Sequence, residues 1–198
     1  MSREPVIVHG VSEAVAAVPY LLGTNPVGSL VVLSLDPDQA PMARVDLPST
    51  DAARAAVAEA IARPYHRHGI GQPVVLMAFT ADREQAAAAC AAVTATLEPL
   101  VPVRAMVIVN GDHWQRLDAL DTGEVSRSTR DRFAAELIFR QGVSPATSMA
   151  DLEARFAPAQ PLPPELVADA VQAARESSGE RADAAERAWM RMVLERHL

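Results

Sequence analysis

Residues 73–110, PVVLMAFTADREQAAAACAAVTATLEPLVPVRAMVIVN, decide the fold of this chain. The stretch opens and closes on continuous apolar runs, Pro73–Thr80 and Val103–Val109, of the kind that form strands buried on both faces of a sheet. The Ala-rich segment between them, Asp82–Glu98, predicts a helix. Strand, helix and strand in this order predict a partly parallel sheet with helices packed on it, so the fold class is α/β.

The neighbouring segments extend this sheet with antiparallel strands. Leu30–Leu35 and Met42–Leu47 are strand-like and are separated by about six residues, which is too short for a crossover connection. Asn110-Gly111 is a strong hairpin signal and leads into the short strand His113–Leu117. We therefore expect a mixed sheet within a three-layer α/β domain that spans residues 1–157.

Four further helices are predicted from hydroxyl residues that can cap a helix N-terminus. They run from Ser12 to Leu22 with Gly23 as the terminator, from Thr50 through Asp51–Ala62, from Ser128 or Thr129 to about Arg140, and from Ser148 to Phe156. Residues 158–164 hold four prolines and predict a stiff spacer. The amphipathic pattern of residues 165–198 predicts a C-terminal helical hairpin.

The second helix of this hairpin carries an apolar stripe that includes Trp189, Met192 and Val193. One interpretation is that the stripe packs on the chain's own α/β domain or on the preceding helix. The other is a surface for a homodimer or a protein partner, because a Pro-rich spacer lets the helices reach a second chain.

Composition excludes several classes of protein. All 18 basic residues are Arg, so lysine-dependent phosphate loops and Schiff-base chemistry are absent, and a single Cys excludes intrachain disulfides and Cys-rich metal sites. A net charge of −7 argues against nucleic-acid binding. No run of 18 apolar residues predicts a membrane span, so we expect a cytoplasmic protein with no membrane partner. No cofactor or metal is predicted.

Three stretches resemble a known family. They are Ala16–Gly23 (AAVPYLLG) followed by Pro26 and Ser29–Val32, then Ala43–Pro48 (ARVDLP), and Arg127–Phe156 with Gly142 and Pro145. This pattern resembles the domain of unknown function 4192 family, which is common in actinobacteria. The resemblance implies an α/β domain in the bacterial cytoplasm and assigns no activity.

Arg44 and Asp46 form the first candidate site. They alternate with apolar residues, so both charges project from one face of a strand. The pair is either an anchoring arginine beside an acidic group at a strand's end, where α/β proteins bind ligands, or an ion pair on the strand surface.

The second candidate is the segment from Ser126 to Arg132. Arg127, Ser128, Arg130 and Arg132 gather at a predicted helix N-terminus, where free N–H groups already favour anions. Because the guanidinium group pairs with carboxylate or phosphate, this cluster predicts an anion site. The alternative is a solvated helix surface.

Four other features are weaker candidates. The loop 23–29 contains two glycines and could offer backbone N–H groups to an anion, or serve only as a helix end and turn. His66 and His68 would share one side of an extended segment, but two ligands are not a metal site. Asp112-His113 could act as an acid–base pair or belong simply to the hairpin turn, and Cys90 is expected to be buried.

The functional hypotheses remain open at this point. The first is a non-catalytic accessory or regulatory module that binds a small anion or a protein partner. The alternative is an enzyme that acts on a phosphorylated or carboxylated small molecule, with Arg44 or Arg130 as anchor and Asp46 as acid, base or metal ligand. The third is a self-assembling structural module.

Overall fold

A computed structural model describes residues 8–35, 42–68, 73–141, 144–156 and the single residues 165, 169 and 172. The chain divides into two units, Met1–Glu153 and Ala154–Leu198. The predicted spacer lies outside the described residues, as does nearly all of the predicted C-terminal hairpin, and both stay predictions.

The described residues form five helices and six strands. The helices are α1 (Val11–Leu22), α2 (Asp51–His68), α3 (Arg83–Leu97), α4 (Arg127–Gln141) and α5 (Met149–Phe156). The strands are β1 (Ser29–Ser34), β2 (Ala43–Asp46), β3 (Val74–Phe79), β4 (Val103–Asn110), β5 (His113–Arg116) and β6 (Thr122–Glu124). None of the described helices is long and apolar enough to cross a membrane.

The strands make one open, mixed sheet in the order β2-β1-β3-β4-β5-β6. Only β3 and β4 run parallel, joined by the crossover through α3, and the other four pairs are antiparallel. The predicted α/β class and the partly parallel sheet are therefore confirmed.

Helices cover both faces of this sheet, which makes three layers. Alternate residues of the central strands face opposite ways, so Leu76 packs beneath α2 and α3 while Met77 packs beneath α1 and α4. Both side chains are completely buried, as are Cys90 on α3 and Val18 on α1. The Ala-rich helix faces bring small side chains close to the sheet, so the core consists mainly of aliphatic residues.

The predicted hairpin joins β4 to β5 through a two-residue turn. Asn110 pairs with His113, and the turn itself is Gly111-Asp112. Gly111 has a φ of 60°, whereas Asp112 does not have a positive φ. This is the pattern of a type II′ turn, in which glycine occupies the first central position.

Two predicted helix caps are wrong. Gly10, not Ser12, precedes α1, and the Ser12 hydroxyl instead accepts a hydrogen bond from Trp114 Nε1 at 2.8 Å. Helix α4 begins at Arg127, two or three residues earlier than expected, and Ser126 Oγ accepts from the Thr129 N–H at 3.1 Å. At α4 three hydroxyl residues stand close together in the sequence, which leaves the choice of cap open. At α1 the Ser12 hydroxyl is engaged by Trp114 of the sheet and does not cap the helix.

Helix α2 is also longer than predicted, since it continues through Pro64 to His68. Residues 66 and 68 therefore lie on a helix and not on an extended segment, which removes the geometry that the two-histidine hypothesis required. Among the described residues there is no group of three or more His, Cys, Asp or Glu side chains that could hold a metal ion.

Candidate functional site

The carboxyl ends of the two parallel strands meet at one edge of the sheet. Phe79 at the end of β3 pairs with Val109 near the end of β4, and also with Ser29 at the start of the antiparallel β1. Ligands of open α/β sheets bind in the crevice outside the carboxyl ends of the parallel strands. This edge is therefore the expected position of a ligand-binding site.

A cavity of about 730 Å³ opens at this edge, and we call it the β3–β4 cleft. Its lining comes from α1, the loop after α1, the ends of β3 and β4, the Gly111-Asp112 turn, the first turns of α4 and the segment 145–147. These segments span residues 15 to 147, so the cleft is made by the fold and not by any one motif.

One side of the cleft is apolar. Helix α1 contributes Val15, Ala16, Pro19 and Tyr20 to the lining. Val15 and Ala16 are buried against the sheet, so this wall is part of the core and its position is fixed. The wall therefore offers a preformed apolar surface.

The lining of the cleft also includes an ion pair. Arg130 on α4 forms a salt bridge through Nη2 with Asp112 in the β4–β5 turn. The same Nη2 donates to the Val125 carbonyl at 3.1 Å, while the Val125 N–H donates to the Asp112 carbonyl at 2.8 Å. Val125 thus ties the turn to the start of α4 and holds the two charged residues together.

The Arg130 guanidinium retains donor capacity after these contacts. Its Nε is buried and donates to no acceptor among the described residues. The Arg130 side chain nevertheless keeps 42% of its surface exposed, and that of Asp112 keeps 48%. Buried polar groups are almost always hydrogen-bonded, and Arg130 Nε shares the lack of a described partner with Arg54 Nε, Tyr65 Oη and Thr24 Oγ1. The exposed part of the Arg130 side chain is what a ligand in the cleft can reach.

The other arginines of the predicted cluster do not converge on the cleft. Arg127 is 95% exposed and pairs only loosely with Asp131, at 3.7 Å. Arg132 pairs with Glu13 on α1 and lies over the Phe133 ring, with 4.9 Å from Cζ to the ring centre. The structure thus separates the three arginines and leaves Arg130 as the one that lines the cleft.

Ser128 lies in the first turn of α4, where its hydroxyl is hydrogen-bonded to Ser126 Oγ at 2.9 Å. This hydroxyl belongs to the capping network of the helix. It is not part of the lining of the cleft among the described residues.

Arg44 and Asp46 lie beside a second, smaller cavity of about 410 Å³. Arg44 Nη2 and Asp46 Oδ1 are 2.8 Å apart, and Arg44 Nε donates to Ser29 Oγ at 2.9 Å. The Asp46 side chain is 87% exposed. The two residues are therefore an ion pair on the strand surface that also borders a cavity, and the role of Arg44 as a ligand anchor stays a prediction.

The two cavities share a wall. Asn25, Val27 and Thr147 line both of them. The wall is held by an isolated parallel bridge in which the Ala146 N–H donates to the Gly23 carbonyl at 2.7 Å and the Asn25 N–H donates to the Ala146 carbonyl at 3.2 Å. No local pattern predicts this bridge, because it joins Thr24 to Ala146 from distant parts of the chain.

Asp112 and His113 do not act on one cavity. His113 lines a separate cavity of about 540 Å³ beside α3, together with Arg83 and Gln115. Asp112 instead faces Arg130 in the β3–β4 cleft. Their adjacency in the sequence suggested Asp112 as a partner of His113, whereas in the fold Asp112 is paired with Arg130.

Cys90 is not a nucleophile in this fold. It is completely buried on α3 between the helix and the sheet. Burial, with a smaller contribution from the Asp118 carboxylate, raises the pKa of the Cys90 thiol to about 12. A reactive cysteine needs a lowered pKa and some exposure, so this residue serves as a small apolar core residue.

Trp189, Met192 and Val193 lie outside the described residues. The homodimer or partner surface that they suggest stays a prediction.

The fold and the cleft together define a three-layer, open-sheet α/β protein with a cavity at the carboxyl ends of its parallel strands. The chain belongs to the family described as domain of unknown function (DUF4192), whose family model matches residues 12–198. Neither the curated proteins nor the solved structures contain a significant match to the chain.

Proposed function

We propose that the chain is a non-catalytic accessory or regulatory protein that binds a small anionic ligand in the β3–β4 cleft. The observation that carries the proposal is Arg130, which lines the cleft as its cationic residue and keeps 42% of its side-chain surface exposed beside Asp112. A carboxylate or phosphate group is the natural partner, because either pairs with the planar guanidinium through two hydrogen bonds.

The existing ion pair leaves room for such a ligand. Both Arg130 and Asp112 are more than a third exposed, and exposed pairs contribute about 1 kcal/mol or less. An anion that engages a second donor of the guanidinium therefore competes well with the Asp112 carboxylate.

The position of the cleft supports the same proposal. It lies at the carboxyl ends of the one parallel strand pair among the described strands, where α/β proteins place their ligands. Its volume also falls within the range of about 300–1,000 Å³ that is typical of small-molecule sites.

The test is calorimetric titration of the full chain with acetate and with inorganic phosphate, supported by thermal unfolding. We expect at least one of the two anions to bind and to raise the melting temperature, because a ligand that binds only the folded state stabilises it. Arg130→Gln should make binding much weaker. Arg127→Gln is the matched control, since Arg127 lies on the same helix and does not line the cleft. Equal binding by both variants would contradict the proposal.

A second candidate function is an enzyme that acts on a phosphorylated or carboxylated small molecule. The observation that favours it is the shared wall, which brings the Arg44–Asp46 pair close to the cleft. Arg44 or Arg130 would anchor the substrate and Asp46 would act as general acid or base. Turnover of p-nitrophenyl phosphate or p-nitrophenyl acetate that is lost in Asp46→Asn would support this candidate, and no turnover of either would count against it.

A further inference from the structure

We propose that the ligand of the β3–β4 cleft is an organic monoanion with an apolar body, such as an aliphatic or aromatic carboxylate. This inference rests on the proposed function and names the chemical class of its ligand. Three properties of the cleft carry it: its volume, its charge and the nature of its α1 wall.

The volume argues for a ligand larger than a simple ion. A cavity of about 730 Å³ is of the size that accommodates a whole organic molecule. An isolated carboxylate or phosphate at Arg130 would leave most of this space to water.

The charge of the lining allows one anionic group. Of the described lining residues, Arg130 is the one cation, and Asp112 already lies against it. A polyphosphate needs several cationic or N–H donors, and its second negative charge would approach the Asp112 carboxylate. The cleft therefore discriminates against nucleotides and pyrophosphate and accepts a single negative charge.

The remaining lining suits an apolar body. Val15 and Pro19 of α1 stand on one side, and Phe79 and Val109 at the strand ends extend the apolar surface. Because Val15 and Val109 are held in the core around α1 and the sheet, this surface is present before a ligand arrives. Apolar groups gain affinity by leaving water for such a surface.

Val27 offers a place where this contact can be changed without disturbing the core. It lines the cleft and the smaller cavity and is 75% exposed. Substitution by serine removes apolar surface from the rim and leaves Arg130 untouched.

The experiment compares acetate, butyrate and hexanoate with inorganic phosphate and pyrophosphate, by calorimetric titration at constant pH and ionic strength. We expect affinity to rise along the alkanoates by up to about fourfold per methylene group that enters the cleft. Pyrophosphate should bind no more tightly than phosphate. Hexanamide, which has the same body as hexanoate without its charge, should bind more weakly.

Two variants make the outcome decisive. Val27→Ser should weaken the binding of hexanoate and leave the binding of acetate unchanged. Arg130→Gln should weaken the binding of every anion. If anions bind through Arg130 but acetate and hexanoate bind equally, the ligand class is wrong and the proposed function stands. Pyrophosphate as the tightest ligand would also overturn the ligand class. If hexanoate binds equally well to Arg130→Gln, both proposals fail.

Discussion

The Asp112 carboxylate is paired with the guanidinium group of Arg130, which the proposed ligand must also bind. It pairs with Arg130 at the cleft and brings a negative charge to the place where an anion would bind. Asp112 is thus an internal competitor of the ligand and limits its affinity. The sequence placed this residue in a hairpin turn and gave no indication that the turn meets α4.

Asp112→Asn should raise the affinity for hexanoate by roughly twofold to fivefold, which corresponds to the free energy of an exposed ion pair. The gain should shrink as salt is added, since salt screens charges at the surface. Titration at low and high ionic strength measures both effects. Asp131→Asn is the control, because Asp131 pairs with Arg127 away from the cleft. A lower affinity in Asp112→Asn would mean that Asp112 positions Arg130 and does not compete with the ligand.

Gly123 is required by the indole ring that lies on it. A Cβ atom at this position would lie 2.6 Å from Trp114 Cζ2 and 2.9 Å from Trp114 Nε1. The ring is not free to move aside, since its Nε1 donates to Ser12 Oγ.

Gly123→Ala should therefore lower the free energy of unfolding by about 1–3 kcal/mol through overpacking. Urea denaturation of the full chain is the measurement. Gly10→Ser serves as the control, since nothing lies within 4 Å of a Cβ at that position and serine is accepted at a helix N-cap. Equal stability of the two variants would show that the Trp114–Gly123 contact relaxes at little cost.

The thiol of Cys90 makes stability depend on pH in the alkaline range. In the unfolded chain a thiol ionises near pH 8.5, whereas burial raises the pKa of Cys90 to about 12 in the folded state. Between these two values the folded chain binds more protons, so stability is lost as the pH rises.

Urea unfolding of the wild type and Cys90→Ala at pH 7.5 and pH 10 tests this dependence. We expect the stability advantage of the wild type to shrink by about 2 kcal/mol between the two pH values. An unchanged difference would mean that the folded thiol ionises in the ordinary range.

At the scale of elements, the network at the start of α4 makes a simple prediction. Ser126 Oγ accepts from the Thr129 N–H and is also hydrogen-bonded to the hydroxyls of Ser128 and Thr129. Ser126→Ala should therefore lower the free energy of unfolding by about 1 kcal/mol, the usual cost of losing an N-cap.

Ser128→Ala is the matched variant, because it removes one hydroxyl contact and keeps the cap. It should lower the free energy of unfolding by only a few tenths of the loss expected for Ser126→Ala. Chemical denaturation of both variants decides between the two caps. A larger loss of unfolding free energy in Ser128→Ala would show that Ser128 caps the helix, as the sequence suggested.

The elements that the sequence predicted well are those whose signal is local. The apolar runs of β3 and β4 and the Ala-rich α3 between them are correct to within a residue or two at each end. Strand β6 was missed, because Thr122-Gly123-Glu124 has no alternating pattern and its glycine matters only through Trp114 on the neighbouring strand. The extension of α2 was missed as well, since Pro64 usually argues against a continuing helix.

At the scale of the whole molecule, the sequence predicted the class of fold and drew attention to Arg130. The sequence could not distinguish Arg130 from Arg127 and Arg132, because the three differ only in the direction in which their side chains leave the helix. The cleft itself depends on contacts between distant segments, such as the bridge between Thr24 and Ala146. Contacts of this kind follow from the packing of α1 and α4 on one face of the sheet and leave no mark on local sequence.

Calorimetric titration of hexanoate into the wild type, Arg130→Gln and Arg127→Gln is the decisive test of an anion site at Arg130. We expect binding to the wild type and to Arg127→Gln with closely similar affinity, and much weaker binding to Arg130→Gln. Arg130→Gln that is folded and binds hexanoate as tightly as the wild type would contradict it.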